Sequence, residues 1–203
     1  CQLGTTPLEP RQLLPGWYVA WMEAPGLVPQ ALPFHVDHAV ESYSKPLHLT
    51  PRLIAPTEVV PGFVRVAADA YPWGEWPYWM QQREVTVAEY SAFLADLATR
   101  DRAAARARLP AALDAEQPWQ LDPQGRASLP DDVAPDHPVL GVSWTDAMAY
   151  TRWWDETINP RPAQLWADLP ALHEWIRGGH GGDGRAYPFG DIFRPGWVSS
   201  RFS

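Results

Sequence analysis

Thiols are almost absent: Cys1 is the only cysteine among 203 residues. One thiol cannot form an internal disulfide, a Cys-x-x-Cys redox pair or a thiolate zinc site. Any reaction that needs two cysteines is excluded on these residues alone. Lysine is equally scarce, with Lys45 alone against 15 arginines, a bias that carries no functional reading. Positive charge is in deficit. The formal net charge is -8 and the pI is near 5.1, which argues against nucleic acid, whose phosphates need a basic face. No apolar run approaches the ~20 residues of a membrane-spanning helix.

What is present in excess is tryptophan, 12 residues, and proline, 23 residues. Dense proline disfavours long helices and central strands, so a loop-rich fold is expected. Tryptophan supplies apolar area with a polar edge and suits irregular cores and binding surfaces alike. A hydrophobic content of 46% is enough to build a core in one large domain or two small ones.

A cysteine in first position is what maturation of a bacterial lipoprotein leaves, with the lipid on Cys1. A fragment boundary that falls at a cysteine gives the same end. Residues 1–14 read as a tether. Residues 15–58 read as a small antiparallel β-module, with strands at Gly16–Met22 and Leu32–Val36, a turn at Ala24-Pro25-Gly26, and a third strand near Lys45–Leu49. Residues 59–203 form the next domain. It opens with a strand at Phe63–Val66, Arg65 pointing outward. Tyr71 to Trp79 follows as an aromatic loop, in which Trp73, Trp76, Tyr78 and Trp79 are the first choice for a contact surface.

Thr86 and Glu89 form a Thr-x-x-Glu capping box ahead of Tyr90, Phe93, Leu94 and Leu97, the spacing of an amphipathic helix. The alanine- and arginine-rich run to Arg108 extends that helix or starts another. Residues 114–138 read as a long loop, and Val139–Val142 as a short strand. Ser143 caps a second helix with an apolar face of Trp144, Ala147, Met148, Thr151 and Trp154. A third helix after Pro170 carries Leu172, Trp175 and Ile176. Gly178 to Gly184 reads as loop. It follows a helix rather than a strand, so it is not a nucleotide fingerprint.

Isolated polar clusters point to little chemistry. His35 and Asp37 share a strand face while His38 points away, which leaves two metal ligands at most. His173 and Glu174 are neighbours on a helix and diverge. His180 sits in the glycine stretch, and Asp183 reads as a turn residue. No catalytic residue and no metal site is expected.

Three motifs carry a family resemblance. Arg83 to Leu94 (REVTVAEYSAFL), His137 to Tyr150 (HPVLGVSWTDAMAY), and the run from Leu169-Pro170 through Glu174-Trp175 to Gly182–Asp191 (GDGRAYPFGD) occur in order and at matching spacing. Together they resemble the formylglycine-generating enzyme, or sulfatase-modifying factor, domain. Residues 15–58 resemble the small β-module that precedes this domain in kinase-linked bacterial proteins. The resemblance implies an α+β, loop-rich, C-type-lectin-like fold, and it makes Trp144, Asp146, Glu174, Trp175, Tyr187 and Asp191 structural motif residues. It also implies that two later segments of the domain lie beyond Ser203, so that this is the first part of an incomplete domain.

Enzymes of the family oxidise a substrate cysteine to formylglycine with a cysteine pair and copper, and neither thiol of that pair is here. A calcium ligand of the family aligns with Ser199, a poor ligand for a hard cation, so no cofactor is expected, calcium being the one left open. The expectation is a non-catalytic structural or binding component of a bacterial envelope assembly. Its partner is a second polypeptide that completes the domain, and its membrane contact is only a lipid on Cys1. The alternatives are half of a formylglycine-generating-type oxidase completed by another chain, a lectin-like ligand-display module, and, for location, the cytoplasm.

Overall fold

The computed structural model describes residues 4–6, 8–9, 11–36, 52–67, 76–111, 119–128, 133–158, 166–181, 185–194 and 197. Cys1, Asp37, His38, the expected strand near Lys45–Leu49, Trp73, Asp183 and Ser199 lie outside them. The architecture is α+β. In chain order the elements are β1 (Gly16–Met22), β2 (Gln30–Val36), β3 (Phe63–Val66), β4 (Tyr78–Gln81), α1 (Val87–Arg100), α2 (Arg102–Ala107), β5 (Gln120–Leu121), β6 (Ala127–Ser128), α3 (Trp144–Thr157) and α4 (Leu172–His180). Among the described residues the strands form three two-stranded antiparallel sheets, β1–β2, β3–β4 and β5–β6. The chain divides into two units: residues 1–82 with 171–203, and residues 83–170.

In the first unit β1 and β2 pair with Tyr18 opposite Phe34 and Trp17 opposite His35. Side chains alternate between faces along a strand. Leu32 and Phe34 are buried, whereas Trp17, Val19 and Trp21 all point outward. In β3 the expected orientation is reversed. Val64 is half exposed, and Arg65 is half buried with its Nη1 donating to Gln30 Oε1 at 3.0 Å. Burial holds the Arg65 pKa below its ordinary value, with the nearby Arg52 charge acting in the same direction. A four-residue strand is too short for alternation to fix its faces, and the Gln30 amide gives the guanidinium a partner inside.

The second unit is built on α1 and α3. Thr86 Oγ1 accepts from the Glu89 N–H at 3.3 Å, and Glu89 Oε2 accepts from the Thr86 N–H at 2.7 Å. The next two unpaired helix donors, Val87 and Ala88, reach the carbonyls of His137 and Pro135 at 2.9 and 2.8 Å. Every first-turn donor is thus satisfied. Asp101 divides the alanine- and arginine-rich run into two helices. It ends α1 and begins α2, where its Oδ1 accepts the Ala104 N–H at 2.9 Å.

Three expectations are corrected here. Val139–Val142 is not a strand. One isolated bridge forms, Thr86 to Pro138, flanked by the Val139 N–H to Val85 O and Val87 N–H to His137 O bonds, both 2.9 Å. Pro138 has no N–H and Val87 is already helical, so the ladder cannot extend. Residues 114–138 are not all loop. β5 and β6 form a hairpin around Asp122-Pro123-Gln124-Gly125, whose Asp122 Oδ1 accepts the N–H groups of Gln124 and Arg126 at 2.9 and 2.8 Å. Those bonds, the one from Arg126 first, hold the Asp122 carboxyl below the usual carboxylate range. The buried face of α3 matches the expected one only in part. Thr151 is inside and Trp154 is half buried against the core, as expected, but Tyr150 and Trp153 are inside too while Trp144 is 69% exposed. Aromatic residues occur on both sides of α3, so spacing alone offered two stripes. The Trp153 indole selects one by donating to Asp96 Oδ2 at 2.8 Å.

The core of this unit is Val87, Tyr90, Phe93, Leu94, Trp119, Tyr150 and Trp153. Burial pushes the Tyr90 and Tyr150 phenols up, helped by the charge of Asp146 at Tyr90 and of Glu89 at Tyr150. A raised phenol pKa means the native state holds its proton more tightly than the unfolded chain. That stability is fully present below the ordinary phenol value of about 10 and is lost as pH rises past it. We expect the unfolding free energy to fall between about pH 9 and about pH 11 by on the order of 1 kcal/mol per tyrosine. Denaturant titrations across that range would show it, and the slope should weaken in Tyr150→Phe.

Candidate binding surface

The aromatic segment chosen from sequence is split by the fold. Trp76 is 86% exposed. Tyr78 and Trp79 belong to β4 and are half buried, which corrects the expectation of a continuous loop to Trp79. Pro77 ends the irregular stretch, and the chain then pairs with β3 from Tyr78 onward.

Helix α4 fixes this region within the first unit. Its N-terminus is closed by Glu174, whose Oε2 accepts the Ala171 N–H at 2.7 Å. Its C-terminus is closed by Gly181 at φ 72°, whose N–H donates to Arg177 O at 2.9 Å. The helix therefore runs through Gly178 and Gly179, which sequence alone placed in a loop. A Cβ on Gly178 would lie 2.5 Å from Met80 Sδ, so glycine lets the helix approach β4 closely. Tyr78 OH donates to Glu174 O at 2.6 Å. Arg177 is buried: its Nη2 donates to Ala67 O at 2.6 Å and Trp76 O at 3.5 Å, and its guanidinium lies 5.0 Å from the Tyr78 ring centre.

The outward side of α4 carries Leu172, Trp175 and Ile176, all exposed. This amphipathic helix buries its arginine and presents its apolar residues. Beyond it, Tyr187 and Gly190 close a turn with paired backbone bonds at 2.9 and 3.0 Å. Asp191 Oδ1 accepts the Ala186 N–H at 3.1 Å. Tyr187 stacks on Phe189 at 5.5 Å, Phe189 meets Trp197 edge-on at 5.7 Å, and Arg194 lies over Trp197 at 4.6 Å. Thus Tyr187 and Asp191 hold a turn, and Phe193 and Trp197 are exposed beside it.

Arg177 is the residue that sequence reasoning missed. The only available signal was its place opposite Leu172, Trp175 and Ile176 on the helix. Arg177→Met should cost about 2–3 kcal/mol, because it removes a charged hydrogen bond, strands the Ala67 carbonyl and loses the Tyr78 contact. Hydrogen exchange of the β3–β4 amides should speed accordingly. Arg177→Lys keeps the charge without the planar fork and should recover part of the loss. An unchanged exchange rate in Arg177→Met would refute this role.

The remaining motif residues lie in the second unit. Asp146 Oδ1 accepts from Arg108 Nη1 at 2.8 Å, and its other oxygen accepts from Ser143 Oγ. Asp146 therefore ties the start of α3 to the end of α2, while Trp144 beside it faces outward. In the first unit, His35 lies against Trp17 at 4.6 Å. Among the described residues, no three His, Cys, Asp or Glu side chains converge at metal-binding distance. No helix among the described residues is long and apolar enough to cross a membrane.

Comparison with known proteins agrees with the motifs. The family described as "Sulfatase-modifying factor enzyme 1-like domain" matches residues 69–201. A formylglycine-generating enzyme of Streptomyces coelicolor is 41% identical over 63 residues, covering 30% of this chain and 17% of that protein. A formylglycine-generating enzyme of Bos taurus is 35% identical over 89 residues, covering 40% of this chain and 21% of that protein. The alignments thus span only about a fifth of either relative. No solved structure matches significantly.

Proposed function

This chain belongs to the sulfatase-modifying factor enzyme 1-like domain family through residues 69–201, and from that premise we propose that it serves as a non-catalytic binding component of a bacterial envelope assembly. The observation that carries this reading is the outward display of large aromatic side chains. Trp76, Trp144, Trp175 and Trp197 are each more than half exposed. Tryptophan dominates the energetics of protein interfaces, and exposed apolar area on this scale is uncommon on self-sufficient monomers. The thiol count supports the non-catalytic part. The oxidase chemistry implied by the resemblance needs two thiolates and copper, and these residues hold one cysteine, a donor set that does not fit such a centre.

The partner in this reading is a second polypeptide that docks against exposed tryptophans. Light scattering of the natively isolated protein should report a mass above that of one polypeptide, falling to the single-chain value in denaturant. A monodisperse single-chain species that melts cooperatively by itself would reject the partner. Cell fractionation, with mass spectrometry of the peptide that holds Cys1, tests the envelope location.

A second reading is favoured by the names of both curated relatives: part of a formylglycine-generating-type oxidase whose cysteine pair is supplied by another polypeptide. Conversion of a cysteine peptide to the aldehyde by the isolated assembly would favour it over the binding role.

A further inference from the structure

We draw no further inference here: the strongest candidate, the outward apolar stripe of Leu172, Trp175 and Ile176 on α4, is an unpartnered helix face, and nothing in the structure shows what covers it.

Discussion

Phe93→Ala should destabilise the unit formed by residues 83–170 by about 3–5 kcal/mol, the range for deleting a buried aromatic ring. Phe93 is 2% exposed and touches three other rings. Its centroid lies 5.3 Å from Tyr90, 5.8 Å from Tyr150 and 5.5 Å from Trp153. These contacts join α1 to α3, so the cavity would open between the two helices on which the unit is built. The surrounding rings are themselves anchored and cannot collapse freely into it. Tyr90 OH donates to Arg108 O at 2.9 Å, and the Trp153 indole is held by Asp96. Domains are stable by only about 5–15 kcal/mol, so the loss is a large share. Trp144→Ala in the same unit removes a larger side chain that is 69% exposed, and should change stability by no more than about 0.5 kcal/mol. Urea unfolding of both variants makes the comparison. Equal costs would mean that the helices do not meet through this ring cluster.

The contrast between Phe93 and Trp144 also marks where the sequence was readable. Around α1 the evidence converged: a Thr-x-x-Glu cap, an apolar stripe at helical spacing and a polar opposite face all specified the same helix, and its buried residues follow that stripe. In α3 the cap at Ser143 was equally plain. The orientation was not, because aromatic residues lie on both sides and only contacts with α1, such as the bond from Trp153 to Asp96 and the rings packed on Phe93, separate them. Such a contact joins residues 57 apart in the chain, so no local pattern carries it. The β5–β6 hairpin was hidden for another reason. Its strands have two residues each, too few for alternation, although Asp-Pro-Gln-Gly is a recognisable turn signal.

In the candidate surface, tertiary packing overrode local preference twice. Glycine weakens helices by up to about 1 kcal/mol per residue, yet α4 continues through Gly178 and Gly179, the first of which sits against Met80. Arginine is rarely buried, yet Arg177 is, because carbonyls far away in sequence at Ala67 and Trp76 accept its protons. Trp76 was legible as a surface candidate, since it lies in the run densest in aromatic residues, whereas Trp175 was read only as a motif residue of the third helix. The separation of Trp76 from half-buried Tyr78 and Trp79 was not legible, because the start of β4 depends on pairing with β3.

Gly141→Ala should be as damaging as a core deletion although it adds one methyl group. Gly141 has φ 76°, in the left-handed region that favours glycine. Alanine there costs about 1–2 kcal/mol in backbone strain. The new Cβ would lie 2.2 Å from Ala111 O and 3.1 Å from Ala111 C. That neighbour is main chain, so it cannot swing aside as a side chain would. Relief requires residues 110–111 or 140–142 to move, which stretches the Ala111 N–H to Gly141 O bond, now 2.8 Å. Strain, overlap and the lost bond together come to about 3 kcal/mol or more. The damage should spread to α3, because Gly141 lies two residues before the Ser143 cap, and a shifted cap pulls Asp146 away from Arg108. Gly179→Ala is the control. It sits within α4 with nothing within 4 Å of its Cβ position, and should raise stability by up to about 1 kcal/mol through helix propensity. Thermal melts of the two variants should therefore move in opposite directions. A Gly141→Ala protein that melts with the parent would show that the segment joining Pro138 to Ser143 does not adopt this turn.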